Sequence, residues 1–239
     1  MTKRRLDQVL VDMGQVRSRS QGESMIRLGE VTVDGKKIQK AGYFVSDSAK
    51  VKVTTDDRYV SRAALKLASV AQEFKLNFKG KKVLDVGSST GGFTDFALQN
   101  GAAKVIAVEA GKDQLHPSLR GHRKIELHEQ TDIRDILELP DKPDIVVIDV
   151  SFVSLRNILP HVAKITDRQA QIIAMVKPQF EAGDSIKHKG VIKNERMRRD
   201  ILKGFEDWAK TRFVINDKAD SRVAGSKGNV ERFYLLRSL

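Results

Sequence analysis

The stretch KKVLDVGSSTGGFTDFALQNG, residues 81–101, decides the fold. It opens as a short apolar run, passes through a glycine-rich turn and closes with apolar residues at helical spacing, so a strand, a turn and a helix are expected. Similar units follow. KVIAVEAG (104–111) is a second strand ending in an acid, KIELHEQTD (124–132) a third, DIVVIDVSF (144–152) a fourth and AQIIAMVKP (170–178) a fifth, with SLRNILPHVAKI (154–165) a helix between the last two. Ahead of them, Leu67, Val70, Ala71 and Phe74 mark a helix capped by Ser61. Strands alternating with helices imply an α/β domain built on a mostly parallel, two-sided sheet. The alternation then breaks. After a helix carrying Met197, Ile201, Phe205 and Trp208, the strand candidates 213–216, with a possible extension to 223, and 231–236 are joined by a short glycine-bearing loop. A parallel crossover needs about a dozen residues, so these two strands should pair antiparallel.

Composition sets the bounds. The 239 residues suit one medium domain and one small one. Lysine and arginine number 43 against 31 acids, a net charge of +12 that attracts polyanions, nucleic acid first among them. There is no cysteine, which removes disulfides, thiolate metal sites and cysteine nucleophiles. No run approaches the ~20 apolar residues of a membrane span. The N-terminus MTKRRLDQVL lacks the apolar core of a secretion signal, so a cytoplasmic protein is expected; a monomer is expected as well.

Residues 4–13, RRLDQVLVDM, put Leu6, Val9, Leu10 and Met13 on one helical stripe, stopped by Gly14. A second helix is signalled by Ser18 with Gln21 as a capping pair, by Met25 and Leu28, and by Gly29 at its end. Val31 and Val33, the Asp34-Gly35 turn and Ile38 make a hairpin, and residues 51–53 a further strand. Together RLDQVLVDMGQVRSRSQGESMIRLGEVTVDGKKI (5–38) resembles the S-four-type RNA-binding domain first seen in a small-subunit ribosomal protein. That resemblance implies RNA contacts from Arg4, Arg5, Arg17, Arg19, Arg27, Lys36 and Lys37, chiefly to phosphates of structured RNA. The expected division is an RNA-binding domain at 1–57, a linker at 58–61 and the α/β domain at 62–239.

The turn at 87–92 narrows what the α/β domain binds. A Gly-Lys-Ser/Thr triplet is absent, which disfavours a nucleoside triphosphate, and Gly87, Gly91 and Gly92 do not space as a dinucleotide fingerprint. A wider turn suits a ligand with an amino-acid moiety, held by Gly87, Ser88, Ser89, Gly91 and Gly92. Asp85 before the turn suits an ammonium, Glu109 a pair of ribose hydroxyls and Asp132 an adenine amine. Taken singly, Asp85 also reads as a turn cap and Glu109 as a solvated acid. Three acids at successive strand ends around one glycine turn point to the ligand. Phe93 joins this set or packs in the core; Phe152 likewise stacks on a ligand or packs, and packing is the expectation for both. The five histidines (116, 122, 128, 161 and 188) show no metal-ligand spacing, so no metal is expected. The loop EAGDSIKHKGVIKN (181–194) offers Lys187, Lys189 and Lys193 for closing over RNA, or as solvated charges.

YVSRAALKL (59–67), DVGSSTGGFTD (85–95), VIDVSFVSL (147–155), VKPQFEAG (176–183) and GSKGNVERFYLL (225–236) resemble, in this order, the TlyA family of ribosomal-RNA methyltransferases, relatives of the FtsJ 2′-O-methyltransferases and sometimes called hemolysins. The resemblance implies an S-adenosylmethionine-dependent enzyme, a fold to which the antiparallel terminal hairpin is proper, acting on the ribose of a cytidine in ribosomal RNA or ribosomal subunits. It also implies a Lys-Asp-Lys-Glu tetrad around the reacting hydroxyl, here Lys66, Asp149, Lys177 and Glu231. The residues themselves agree in one respect: Asp149 and Lys177 end neighbouring strands on the carboxyl edge, where open α/β sheets hold ligands. Lys177 is expected to meet the 2′-oxygen as proton acceptor or as charged stabiliser, beside the like charge of Lys66, with Asp149 and Glu231 orienting the amines. Two rivals are weighed: a binding-only ribosome-assembly factor, against which the intact tetrad speaks, and a membrane-lysing toxin, against which the lack of a secretion signal and of a long amphipathic helix speaks.

Overall fold

The computed structural model describes residues 3–16, 19–40, 42–53, 59–182, 192, 194–223 and 229–239. The N-terminal unit contains β1 (Lys3–Arg5), α1 (Leu6–Asp12), α2 (Arg19–Leu28), β2 (Val31–Val33), β3 (Lys36–Ile38), β4 (Phe44–Ser46) and β5 (Val51–Val53). β2 is the centre of an antiparallel β3-β2-β5 sheet, and β1 pairs with β4. Asp34 and Gly35 have φ of 49° and 77°, the left-handed pair that a two-residue hairpin turn needs. Leu6, Leu10, Val16, Met25, Ile26, Val31, Val33 and Val45 form the core of this unit.

Two expectations are corrected here. Arg4 and Arg5 belong to a strand and not to the first helix, because their backbone pairs with Val45 and Phe44 of β4 and the helix starts only at Leu6. Met13, expected on the buried stripe, is 47% exposed: the helix ends at Asp12, so the stripe turns away one residue too soon. Ser18, the expected cap of the second helix, lies outside the described residues.

The larger unit runs α3 (Arg62–Ala71), β6 (Lys82–Val86), α4 (Gly92–Gln99), β7 (Lys104–Glu109), β8 (Ile125–Glu129), β9 (Ile145–Ile148), α5 (Leu155–Ile165), β10 (Gln171–Val176), α6 (Pro178–Glu181), α7 (Glu195–Ala209), β11 (Phe213–Asp220) and β12 (Arg232–Ser238). Its seven-stranded sheet has the order β11-β12-β10-β9-β6-β7-β8. Six strands run in one direction, and β12 alone inserts antiparallel, between β10 and β11. Alternate residues of each strand serve opposite faces. Leu84, Val146, Ile148, Ile172 and Tyr234 pack with α5 and α7, whereas Val83, Val147, Ile173, Met175 and Phe233 pack with α3 and α4. Between the end of β10 and the loop expected at 181–194 stands the helical turn α6, started by Pro178, a residue expected at the end of the strand.

Asp7 ties the small unit together. It is fully buried and accepts from Arg5 at 3.0 and 2.7 Å, from Gln8 N at 3.0 Å and from Arg19 at 3.3 Å. The hydrogen bonds from Arg5 hold its carboxyl below the usual 3.8, against the effect of burial. A depressed carboxyl stabilises the fold above its unfolded pKa and loses that contribution as pH falls through the folded value. Hydrogen-exchange protection over residues 6–12, relative to intrinsic rates, should therefore fall below the usual carboxylate range; protection there that is unchanged in acid would contradict this. In the sheet, Ile173→Ala should cost about 2–5 kcal/mol in denaturant unfolding, because Ile173 is fully buried in a central strand with neighbours on every side.

Candidate active site

β6, β9 and β10 run parallel, so their carboxyl ends share one edge of the sheet. Asp149 follows β9 and Lys177 follows β10 directly. Glu231 reaches the same edge for the opposite reason. It immediately precedes β12, and an antiparallel strand starts where its parallel neighbour stops: Arg232 is the register partner of Val176. Lys66 arrives from α3, whose Leu67 and Val70 pack on the sheet with Phe93 and Phe233.

The four side chains form two ion pairs. Lys177 Nζ lies 2.5 Å from Asp149 Oδ1 and donates to Ser151 Oγ at 2.8 Å. Lys66 Nζ lies 2.6 Å from Glu231 Oε2, and these two residues are only 6% and 3% exposed. Burial at that level requires a counter-charge within contact distance, since an isolated ammonium or carboxylate would cost several kcal/mol to desolvate. Both pairs line a single cavity of about 920 Å³, together with Asp85, Gly87, Ser88, Ser89, Phe93, Glu109, Asp132 and Phe152.

The acids differ in what they already do. Asp85 is fully buried; its Oδ2 accepts from Thr94 Oγ1 at 2.6 Å, while Oδ1 and Ser88 Oγ find no hydrogen-bond partner among the described residues. Burial pushes the Asp85 carboxyl up to about 7, with the charges of Asp149 and Glu109 adding to the rise and Thr94 opposing it. Glu109 accepts from Ser89 N at 2.8 Å and from Gly111 N at 2.7 Å, one bond to each oxygen, so it fastens the glycine turn to the end of β7. Asp132 caps a short 3₁₀ turn through Arg134 N and pairs with the Arg134 guanidinium at 2.6 Å, which holds its carboxyl low.

Of the glycines, Gly92 is the one that a side chain would most disturb at α3. A Cβ there would overlap Ser61 Oγ and stand 2.8 Å from Ala63 Cβ. Gly91 is the N-cap of α4. Phe93 is 2% exposed, packs its ring against Phe233 and still borders the cavity. Phe152 corrects its expectation of core packing. It is 79% exposed at the cavity wall, with φ of +66°, a backbone region that costs a non-glycine residue about 1–3 kcal/mol. Its ring tilts against Phe180 at 5.2 Å, and Lys177 Nζ lies 6.0 Å from the Phe180 ring centre.

The expected RNA contacts are less concentrated. Arg4 pairs with Asp12, and Arg5 and Arg19 are engaged with Asp7, Arg5 also with Glu23. Lys36 and Lys37 are exposed on β3. Arg17, Lys187, Lys189 and Lys193 lie outside the described residues, as does the side chain of Arg27. Two residues of the small unit that no sequence signal marked, Glu23 and Gln39, line the cavity. Glu181 was also missed; it is buried and accepts from Ser154 Oγ at 2.6 Å and Leu155 N at 2.7 Å, bracing α5 against the segment after Lys177.

Residues 59–238 match the family of FtsJ-like methyltransferases, and residues 4–51 match the S4 domain. The chain belongs to the FtsJ-like methyltransferase family. Among its relatives, the 23S rRNA (cytidine-2′-O)-methyltransferase TlyA of Campylobacter jejuni is 43% identical over 74% of this chain and 70% of its own. The 16S/23S rRNA (cytidine-2′-O)-methyltransferase TlyA of Mycobacterium tuberculosis is 36% identical over 98% and 90%. A solved structure from Streptococcus thermophilus, described as a hemolysin, superposes with a TM-score of 0.76 at 34% identity, covering 100% of this chain and 89% of that one.

In this FtsJ-like chain the contact between α3 and α4 has no slack. Gly92→Ala should destabilise the fold by about 1–3 kcal/mol through overpacking. Thermal unfolding measures it, and an unchanged midpoint would contradict the close approach.

Proposed function

We propose that the protein transfers a methyl group from S-adenosylmethionine to the 2′-hydroxyl of a cytidine in ribosomal RNA, in the cytoplasm. The observation that carries this reading is the convergence of two lysine–carboxylate pairs, one buried and one half-buried, on one cavity beside a glycine turn. The residues fit the cofactor on their own chemistry. Asp85 Oδ1, buried and without a partner among the described residues, suits an ammonium donor, and Ser88 Oγ suits a carboxylate. Glu109 retains a lone pair on each oxygen for ribose hydroxyls, and Asp132 would share an oxygen between Arg134 and an adenine amine. The cofactor, when bound, supplies an electrophilic methyl on a sulfonium.

The chain's own residues then do the rest. Lys177 forms an ion pair with Asp149 at the cavity wall, and we assign it to stabilise the negative charge that develops on the 2′-oxygen. The 2′-hydroxyl would become strongly acidic as its oxygen takes the methyl group, and the Asp149 carboxylate is the acceptor that we assign to its proton. Glu231 holds the Lys66 ammonium at the wall of the same cavity. Phe152, exposed beside the site, suits stacking on a base that has been turned out of its helix. The RNA itself would be held by the positive N-terminal unit, with Lys36 and Lys37 available for phosphates. The hemolysin name of a relative finds no support in a spanning helix: among the described residues, no helix is long and apolar enough to cross a membrane.

Ribosomal subunits incubated with methyl-labelled S-adenosylmethionine should acquire ribose label on a cytidine, and absence of ribose label from both subunits would overturn the proposal. Lys177→Ala should lower kcat by roughly 10²–10³-fold, as loss of one oxyanion donor does. Lys177→Arg, which keeps the charge, should retain measurable turnover; an arginine variant as inactive as the alanine would favour proton acceptance by Lys177 instead.

A further inference from the structure

Glu30 is an acid with no place in the machinery just described, yet it is fully buried. It stands between α2 and β2 in the N-terminal unit, where its backbone N–H closes the end of α2 onto Met25 O at 3.0 Å. Its side chain crosses to the larger unit. Glu30 Oε1 accepts from the backbone N–H of Arg62 at 2.9 Å. Arg62 is the first residue of α3, directly after the cap Ser61, and Lys66 lies one helical turn further on.

The first N–H groups of a helix have no partner inside the helix and must be met from outside. In α3, Ser61 Oγ meets the N–H of Ala63 and Glu30 meets that of Arg62. The opposite side of the same turn rests against Gly92 with no room to spare. The start of α3 is thus held from two directions, and one of the holding groups belongs to the other unit. Burial pushes the Glu30 carboxyl up to about 7, and the Arg62 N–H with the charges of Arg62 and Lys66 pulls it back, so Glu30 and the Lys66 ammonium act on each other electrostatically. Glu23 and Gln39 of the small unit border the cavity that holds Lys66.

We propose that Glu30 is a positioning residue of the active site: its buried carboxylate fixes the N-terminus of α3 and so sets the Lys66 ammonium against Glu231. The small unit is then part of the reaction centre as well as an RNA anchor, and a displacement of that unit on RNA engagement reaches Lys66 through the contact of Glu30 with Arg62. This inference rests on the reading of the site given above.

The full-length chain and its Glu30→Ala and Glu30→Gln variants test it. Glu30→Ala should lower kcat for ribosomal-RNA ribose methylation about tenfold, with KM for RNA and the Kd for S-adenosylmethionine within about twofold of wild type. Glu30→Gln, whose carbonyl oxygen can still accept from Arg62, should recover a large part of that loss. A Glu30→Ala enzyme with unchanged kcat, or a loss equal in the two variants, would overturn the proposal. Lysine acylation read by mass spectrometry provides a measure free of turnover. Lys66 should react several-fold faster in Glu30→Ala relative to an exposed lysine such as Lys36, and an unchanged ratio would overturn the proposal. Glu30→Asp, whose shorter side chain withdraws the acceptor from the Arg62 N–H while keeping the charge, carries the same comparison if the alanine variant does not fold. A wild-type protein that leaves ribosomal RNA unmethylated would sink the functional reading, while the acylation ratio would still decide the role of Glu30.

Discussion

An ammonium drawn out of water needs a carboxylate within contact distance, and the architecture of this protein meets that need twice at one cavity, for the buried Lys66 and the half-buried Lys177. Lys66 with Glu231 and Lys177 with Asp149 are neutral as pairs, which makes their burial tolerable. None of the four is near its partner in the chain. Lys66 and Glu231 are brought together by a helix that precedes the sheet and a strand that ends it, so the site exists only once the whole larger unit has closed.

Sheet polarity explains how that closure delivers four charges to one edge. Parallel strands release their carboxyl ends on a common side, which serves Asp85, Glu109, Asp149 and Lys177. The reversed direction of β12 contributes its beginning to that side. Had β12 run parallel, Glu231 would have emerged at the far edge and Lys66 would have been buried without a counter-charge. The antiparallel insertion is therefore a requirement of the electrostatics as much as a feature of the topology.

The small unit is tied to this centre more closely than a tether requires. Asp7, clamped by Arg5 and Arg19, consolidates it, and Glu30 joins it to the start of α3. Arginines read as RNA contacts are in part holding the unit together, although guanidinium groups with five donors can do both. Phe152 departs from the ordinary rule for large aromatics. It is exposed and sits in a left-handed backbone conformation next to the site.

Much of this was legible from residue order. Apolar runs of strand length alternating with helical stripes specify a two-faced parallel sheet, because strand and helix periodicities are local properties of the chain. The antiparallel terminal pair followed from a loop too short to cross over, and the tetrad positions followed from motifs whose spacing resembles that of a known family. The short β1–β4 ladder, the exposure of Phe152, the helical turn at Pro178 and the crossing of Glu30 to Arg62 were not legible. Each depends on which distant backbone or side chain comes alongside, and burial and hydrogen-bond pairing between remote segments are decided by packing in three dimensions. The sequence by itself determined the elements, their order and the chemistry available. Only the tertiary structure decided which lysine meets which carboxylate, since electrostatic pairing acts over a few ångströms of space and takes no account of separation along the chain.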